Sequence, residues 1–105
     1  YHGIYCGSLP KRDAAYHQGT AWGFLMGGFL TAYMKVHHHS PEAKKQAMAY
    51  LAPVQTHLLE EGCIGSISEI FDGDAPHTCR GCYAQAWSVG EILRCYTQDI
   101  QKNQK

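Results

Sequence analysis

The stretch Gly62–Trp87 (GCIGSISEIFDGDAPHTCRGCYAQAW) decides how the rest of the chain is arranged. It shows neither the two-residue period of a strand nor the 3.6-residue period of a helix, yet it lies between segments with helical patterns. Connections of this length within a compact domain are usually either functional or disordered. Its isoleucine and aromatic side chains are unlike the composition of a disordered segment. The stretch is therefore predicted to be a long, ordered loop whose glycines and proline form tight turns.

Glu69 lies near the middle of this loop, beside Ile67, Ile70 and Phe71. A carboxylate that a folded loop holds among apolar side chains is a candidate general acid or base, because such surroundings alter its proton affinity. The alternative is an ordinary surface or capping carboxylate, which is what most glutamates are. The local sequence by itself favours this second interpretation.

The composition is that of one small domain or of part of a larger one. Hydrophobic residues make up 45% of the 105 residues and charged residues 17%, whereas an ordinary domain carries about 25% charged residues. A short chain needs more polar surface rather than less, so we expect other protein to cover part of this surface. Because the chain begins with Tyr1 and not Met, residues 1–105 are expected to be an incomplete domain cut from a longer polypeptide.

Charge and cysteine content narrow the classes of partner. The formal net charge is zero and Lys and Arg form no run, so nothing favours binding to nucleic acid. The uncharged segment 14–34 contains His17, Gln18, Thr20 and several glycines, which favours a buried helix over a membrane span.

The five cysteines form no regular framework, which favours reduced thiols in a cytoplasmic protein. Uncovered apolar helix faces should make the isolated chain self-associate.

Apolar periodicity predicts an all-α fold of about three helices, and no segment alternates convincingly as a strand. The predicted segments are, in order, an irregular loop over 1–13, a helix that starts between Ala15 and Thr20 and ends near His37, a helix from Pro41 to shortly before Gly62, a helix over about Cys82–Asp99, and a fraying tail over 101–105. The second helix has the clearest signals, with Ser40 as N-cap, Pro41 in the first turn and Gly62 after its end. Pro53 removes an amide donor and should kink or split this helix.

The entry to the first helix concentrates polar and aromatic side chains in the sequence YHQGTAW. Aromatic rings stack on the apolar faces of sugars, and amide or imidazole groups bond to sugar hydroxyls. The candidate sugar-binding residues are Tyr16, His17, Gln18 and Trp22. The alternative is a capping loop in which the histidine and glutamine bond to backbone. The residues alone leave these two interpretations equal.

Two further patterns resemble metal sites, and both are incomplete. The D-G-D sequence at 72–74 lacks the other oxygen ligands and the distal glutamate of a calcium loop, so its aspartates are predicted to form a turn. His77, Cys79 and Cys82 could supply three zinc ligands, but a structural zinc site needs four. Ordinary thiols are the simpler interpretation, and no metal or cofactor is predicted.

Four motifs follow one another along the chain: YHQGTAW at 16–22, SPEA at 40–43, SISEIFDGD at 66–74 and RGCYAQAWSV at 80–89. Together they resemble the glycogen debranching enzyme family. More closely, the chain from about Tyr1 to Tyr96 resembles the C-terminal part of the amylo-α-1,6-glucosidase domain of the bacterial and archaeal type. Gly23, Gly28 and Cys79 stand where that family commonly has proline.

The resemblance implies a six-hairpin α/α toroid, of which this chain would form the last three or so helices, around a funnel that binds α-glucan. It implies hydrolysis of α-1,6-linked glucose at branch points of glycogen or a limit dextrin, with inversion, by one carboxyl as acid and another as base. Glu69 matches the family's general base. The family's general acid matches no residue here, so the chain alone is expected to be inactive without the remainder of the parent polypeptide.

The resemblance also implies contacts with the sugar. The segment that faces the sugar matches Tyr16, His17, Gln18 and Trp22, and a motif that supports the loop and touches the funnel matches Gln85 and Trp87. Two other functions stay open: a non-catalytic helical module that binds glucan or protein, and a toroid glycosidase that acts on another sugar.

Overall fold

A computed structural model describes residues 1–101 of the chain. Its elements are α1 (Leu9–Tyr16), β1 (Ala21–Trp22), α2 (Leu25–Val36), α3 (Pro41–Glu60), β2 (Ile70–Phe71), β3 (Cys79–Arg80), α4 (Ala86–Cys95) and a π-helical turn (Tyr96–Gln101). The described residues are therefore mostly helical, with one small sheet. The fraying predicted for 101–105 falls, apart from Gln101, outside the described residues.

α3 begins and ends where its sequence signals place it. The Ser40 hydroxyl accepts a hydrogen bond from the Ala43 amide at 3.1 Å, and Pro41 occupies the first turn. The chain leaves the helix through Gly62 at φ +56°, a left-handed conformation that glycine adopts without steric cost. The second predicted helix is confirmed. It continues through Pro53 as one element, so the proline does not split it.

The N-terminal part differs from the prediction in two places. α1 starts at Leu9, inside the segment predicted to be irregular, with Ser8 in the N-cap position and Pro10 in the first turn. Proline is favoured there because its missing amide removes no intrahelical hydrogen bond. α2 starts only at Leu25, because the chain first forms β1 and pairs with β2.

A three-stranded antiparallel sheet in the order β1-β2-β3 corrects the all-α prediction. Trp22 pairs with Ile70, and Ile70 pairs with Arg80. Strands of two residues are too short to show the alternation by which strands are recognised in a sequence. The sheet joins two segments that are far apart in the chain, because β1 lies at the entry to α2 whereas β2 and β3 both lie in the long loop.

α4 starts at Ala86 and not near Cys82, because the backbone before it is committed to the long loop. The Cys82 carbonyl accepts a hydrogen bond from the Glu69 amide at 2.8 Å, and the Gln85 amide donates to the Ile67 carbonyl at 2.9 Å. A helix that started at Cys82 would have to find other partners for these loop groups, since buried backbone groups are almost always paired. The long connection is thus held to the start of α4 by its own backbone.

The hydrophobic core lies where α2, α3 and the C-terminal elements meet. Its buried side chains are Leu30, Met34, Ala43, Ala47, Leu51, Cys95 and Ile100. Gly27 allows α2 to approach α4 closely, because a β-carbon there would overlap the Glu91 carboxylate and lie 2.9 Å from the Glu91 carbonyl oxygen. A β-carbon at Gly28, in contrast, would meet open space.

Large apolar side chains remain exposed on the helices, including Leu9 of α1. They include Leu25, Phe29 and Val36 of α2, Met48, Tyr50 and Leu59 of α3, and Leu93 of α4. Soluble proteins rarely leave large contiguous apolar patches bare, so cover by other protein and self-association of the isolated chain stay predictions. Within residues 1–101, no helix has the length and hydropathy needed to cross a membrane.

Candidate active site

The Glu69 carboxylate is partly buried and accepts hydrogen bonds from two distant parts of the chain. The Tyr16 hydroxyl donates to Oε2 at 2.6 Å, and the Cys82 amide donates to Oε1 at 3.2 Å. The Glu69 backbone is also held, since its amide donates to the Cys82 carbonyl and its carbonyl accepts from the Gly23 amide at 3.2 Å. Glu69 is therefore neither a helix cap nor an unpaired surface carboxylate.

Tyr16 ends α1 and presents its hydroxyl to Glu69 as a donor. Burial, followed by the hydrogen bond to the Glu69 carboxylate, raises the pKa of Tyr16 to about 12. The hydroxyl consequently stays protonated at physiological pH. Each Glu69 oxygen accepts one bond within the protein and has a second lone pair, so the carboxylate retains acceptor sites for a water molecule.

Aromatic rings extend from Tyr16 across the surface beside this carboxylate. Tyr16 packs edge-on against Trp22 with ring centroids 4.5 Å apart, and His17 stacks on Trp22 at 5.5 Å with 7° between the planes. Trp22 meets Trp87 edge-on at 6.3 Å, and Phe24 stacks on Trp87 at 4.2 Å. The Trp22 indole N–H donates to the Tyr16 carbonyl at 3.0 Å, which restrains the indole ring. The structure thus brings four of the predicted site residues into one aromatic cluster.

The two glutamines of the predicted site make their described hydrogen bonds through the backbone. The Gln18 carbonyl accepts from the His2 amide at 3.2 Å, which ties the N-terminal segment to the end of α1. Gln85 stands in the N-cap position of α4, where its carbonyl accepts from the Val89 amide at 3.2 Å. The sugar contacts of both side chains stay predictions.

Gly81 serves the site by having no side chain, and the sequence patterns did not single it out. Its φ is +68°, and a β-carbon built there would overlap Oε1 of Glu69 and lie 2.9 Å from Cγ1 of Ile70. The left-handed backbone and the crowding both require glycine. The available signal was its place in the RGC sequence, next to Cys82.

Asp72 forms a buried ion pair, whereas the D-G-D pattern predicted a turn. Its side chain is 5% exposed and accepts from Nη2 and Nε of Arg80 at 3.0 and 3.2 Å and from the Tyr5 amide at 2.8 Å. Burial acts to raise the pKa of Asp72, but the bonds from Arg80 and Tyr5 outweigh it and hold that pKa below its ordinary value. Since the Tyr5 ring packs against Tyr16 at 5.4 Å, the ion pair also supports the candidate site.

A cavity of about 580 Å³ lies between α2, α3 and the sheet, and Glu69 does not line it. Its apolar lining includes Leu25, Met26, Phe29, Val54, Ile67, Phe71 and Ile92. Trp22, His57, Glu61, Asp72 and His77 also line this cavity, so polar side chains border its apolar walls. The candidate site is placed at the aromatic surface because that surface adjoins Glu69 through Tyr16.

Residues 1–101 contain no group of three or more His, Cys, Asp or Glu side chains placed to hold a metal ion. All five cysteines are free thiols. Cys82 serves the site through its backbone, because its amide and its carbonyl both bond to Glu69.

A carboxylate held by two donors beside aromatic rings combines the polar and apolar groups that a small-molecule site needs. Comparison with protein-family models identifies the family, because the one described as Amylo-alpha-1,6-glucosidase matches residues 1–94. The chain therefore belongs to the amylo-α-1,6-glucosidase family, which confirms the resemblance of its motifs. Comparisons with curated proteins and with solved structures give no match to this chain.

Proposed function

We propose that this chain is part of a glycoside hydrolase that removes α-1,6-linked glucose at branch points of glycogen or limit dextrins, with inversion and with Glu69 as the general base. Family membership supports the class of reaction. The observation that carries the residue assignment is the Glu69 carboxylate held between Tyr16 and Cys82 beside an aromatic surface. The free cysteines support a cytoplasmic location.

In this reaction, the oxygen of a water molecule attacks the anomeric carbon of the branch glucose while the bond from that carbon to the leaving oxygen breaks. Glu69 takes a proton from the water, and an acid on the opposite face of the sugar gives one to the leaving oxygen. Tyr16 and the Cys82 amide hold the carboxylate in one orientation, so the water it binds is directed at the sugar. Trp22 and Trp87 offer rings for the apolar faces of the sugar.

The general acid is proposed to come from another segment of the parent polypeptide. An inverting pair needs carboxyl groups about 6.5–9.5 Å apart, with the sugar between them. Among the described residues, Asp72 is committed to Arg80 and Glu91 to Arg94. The exposed apolar helix faces also support a toroid in which this chain forms the last helices of a larger shell. On this proposal the chain alone does not hydrolyse branched dextrins at a useful rate.

The test is the Glu69→Gln variant of the polypeptide that contains this chain, assayed for glucose release from a branched limit dextrin. Proton NMR of the parent reaction should detect β-glucose first, because inversion converts the α-linkage to a β-anomer. Retained turnover in the variant, or α-glucose as the first product of the parent, would refute the assignment. A parent polypeptide that binds dextrin without any turnover would instead be a glucan-binding module.

Replacing Tyr16 with phenylalanine is expected to lower kcat about tenfold and to change KM less. A hydrogen bond to a charged group contributes about 1.5–3 kcal/mol, and about 1.4 kcal/mol corresponds to a factor of ten in rate. Steady-state kinetics on a limit dextrin measure both constants. Tyr5→Phe is the control, because the Tyr5 ring contacts Tyr16 while its hydroxyl makes no hydrogen bond within the described residues. Equal kcat values for the two variants would contradict an orienting role for the Tyr16 hydroxyl.

Replacing Gly81 with alanine is expected to lower kcat more than tenfold, because the new β-carbon displaces the Glu69 carboxylate, and a displacement of about 1 Å can cost about 100-fold. The left-handed backbone adds about 1–2 kcal/mol of destabilisation, which urea denaturation measures. Gly65→Ala is a matched control, since Gly65 has φ +94° and its β-carbon would meet no atom within 4 Å. The control should lose stability but keep kcat. Equal losses of kcat in both variants would argue against displacement of Glu69.

A further inference from the structure

We infer that His57 is a positioning residue for the candidate base: its neutral imidazole accepts the Ser68 amide proton and so holds the backbone that carries Glu69. This role rests on the proposed function, because positioning matters only if Glu69 acts as the base. His57 lies near the end of α3 and is 3% exposed, and Ser68 is 1% exposed. The contact between them is thus removed from solvent.

Both ring nitrogens of His57 have partners. The Ser68 amide donates to Nε2 at 3.1 Å, and Nδ1 lies 3.2 Å from Oε2 of Glu61. A backbone amide can only donate, so Nε2 must be the unprotonated acceptor. The proton of the neutral ring therefore lies on Nδ1 and is donated to Glu61. The two contacts together define one tautomer and one ring orientation.

The surroundings of the ring favour this orientation. Phe71 packs edge-on against His57 with ring centroids 4.9 Å apart. Gly62 has φ +56°, and a β-carbon there would lie 3.1 Å from Cε1 of His57 and 3.3 Å from Oγ of Ser68. Glycine at this position therefore leaves the room in which the imidazole faces the Ser68 amide.

The His57 contact complements other bonds that hold the backbone on either side of Ser68. The Ile67 carbonyl accepts from the Gln85 amide, and the Glu69 amide donates to the Cys82 carbonyl. These two bonds tie the loop to the start of α4, whereas the His57 bond ties it to α3. The Gly65 amide also donates to the Leu58 carbonyl of α3 at 2.6 Å, but the His57 bond is the tie to α3 that lies next to Glu69. Its loss would let the carboxylate move relative to the aromatic cluster.

The His57 bond is also the one that a second proton on the ring would break, because Nε2–H would then face the Ser68 N–H. The Glu61 carboxylate faces Nδ1 of His57. Asp72 and His77 are the other charged or titratable groups on this side, because they line, together with His57, the cavity between α2, α3 and the sheet. Asp72 is already paired with Arg80. A doubly protonated His57 ring could therefore not hold the Ser68 amide.

The direct test is NMR of the ¹⁵N-labelled protein. We expect His57 to be neutral with its proton on Nδ1, and the Ser68 amide to exchange slowly with solvent. His57→Leu should speed Ser68 exchange about tenfold or more, the effect of losing one hydrogen bond. His57→Gln, whose amide oxygen can replace Nε2 as the acceptor, should restore slow exchange. His38→Asn is the control, because His38 lies exposed in the turn after α2.

A proton on Nε2, or equal Ser68 exchange in wild type and His57→Leu, would overturn the inference. If His57→Leu does not fold, titration of the wild type decides the question. The protection of the Ser68 amide, corrected for the intrinsic pH dependence of amide exchange, should then fall at the same pH midpoint at which the His57 ring takes up its proton, and separate midpoints would overturn the inference as well.

Kinetics of the polypeptide that carries out the reaction separate this inference from the proposed function. His57→Leu should lower kcat about tenfold with little change in KM, and His57→Gln should recover most of that loss. If Glu69→Gln abolishes turnover while His57→Leu changes neither kcat nor Ser68 exchange, the inference fails and the proposed function stands. If Glu69→Gln retains turnover, both fail.

Discussion

Replacing Glu69 with glutamine should lower kcat for the release of branch glucose by about 10²–10⁴-fold, the usual contribution of a general base. Glutamine has nearly the same shape, and its amide oxygen can still accept a hydrogen bond from Tyr16 or Cys82. It cannot take a proton from water at neutral pH, so the attacking water is no longer activated. Glucan binding should survive, because the aromatic surface is unchanged.

Steady-state kinetics and calorimetric titration with the same limit dextrin separate turnover from binding. Glu60→Gln is the matched control, because Glu60 lies exposed at the end of α3 and should affect neither quantity. A Glu69→Gln variant that keeps kcat within about tenfold of the parent would contradict the assignment of the base. Loss of binding with unchanged kcat would make Glu69 a substrate-recognition residue.

Replacing Asp72 with alanine should have the largest effect on stability, a loss of about 2–3 kcal/mol in the free energy of unfolding. Breaking a buried ion pair typically costs about 3–5 kcal/mol, and the value here is lower because the Arg80 side chain is 33% exposed. The variant leaves the Tyr5 amide and the Arg80 guanidinium without their acceptor. Urea denaturation at neutral pH measures the loss.

Acid should reduce the difference between wild type and Asp72→Ala. Because folding lowers the pKa of Asp72, the ion pair stabilises the fold fully above the ordinary aspartate pKa of about 4 and loses this contribution as the pH falls through the lower folded-state value. Denaturation curves taken stepwise from neutral pH to about pH 3 should therefore converge at the acid end.

Asp74→Ala is the control for this measurement. The Asp74 carboxylate accepts a hydrogen bond from the Tyr1 hydroxyl at 2.6 Å, but at an exposed position. Its removal should cost about 1 kcal/mol or less. Equal losses in the two variants, or a gap between wild type and Asp72→Ala that widens in acid, would contradict the buried ion pair.

Local signals explain which parts of the fold could be predicted. An N-cap and a proline act within one turn, so Ser40 and Pro41 marked the start of α3 correctly. Ser8 and Pro10 carry the same kind of signal for α1, but they stand at short intervals with Gly3 and Gly7, a pattern that favours an irregular loop. The sheet was beyond reach, since two-residue strands carry no period and their pairing depends on where distant segments meet.

In the candidate site, too, some features were predictable from local sequence and others depend on contacts between distant segments. The motifs and the loop composition singled out Glu69 and the Tyr16–Trp22 segment, but Tyr16 and Glu69 are 53 residues apart, and no spacing rule predicts the hydrogen bond between them. Gly81 and His57 were not singled out, because a missing side chain and a buried acceptor acquire a role only through their neighbours in space.

The sequence by itself determined three things: that Pro41–Glu60 forms a helix, that the long connection is ordered rather than disordered, and which family the chain belongs to. Each of these depends on neighbouring residues or on motifs that follow one another along the chain. The tertiary structure alone decided which groups surround Glu69. Packing of α2, α3 and α4 sets the path of the connecting segments, and only that path brings the Tyr16 hydroxyl and the Cys82 amide within hydrogen-bonding distance of the carboxylate.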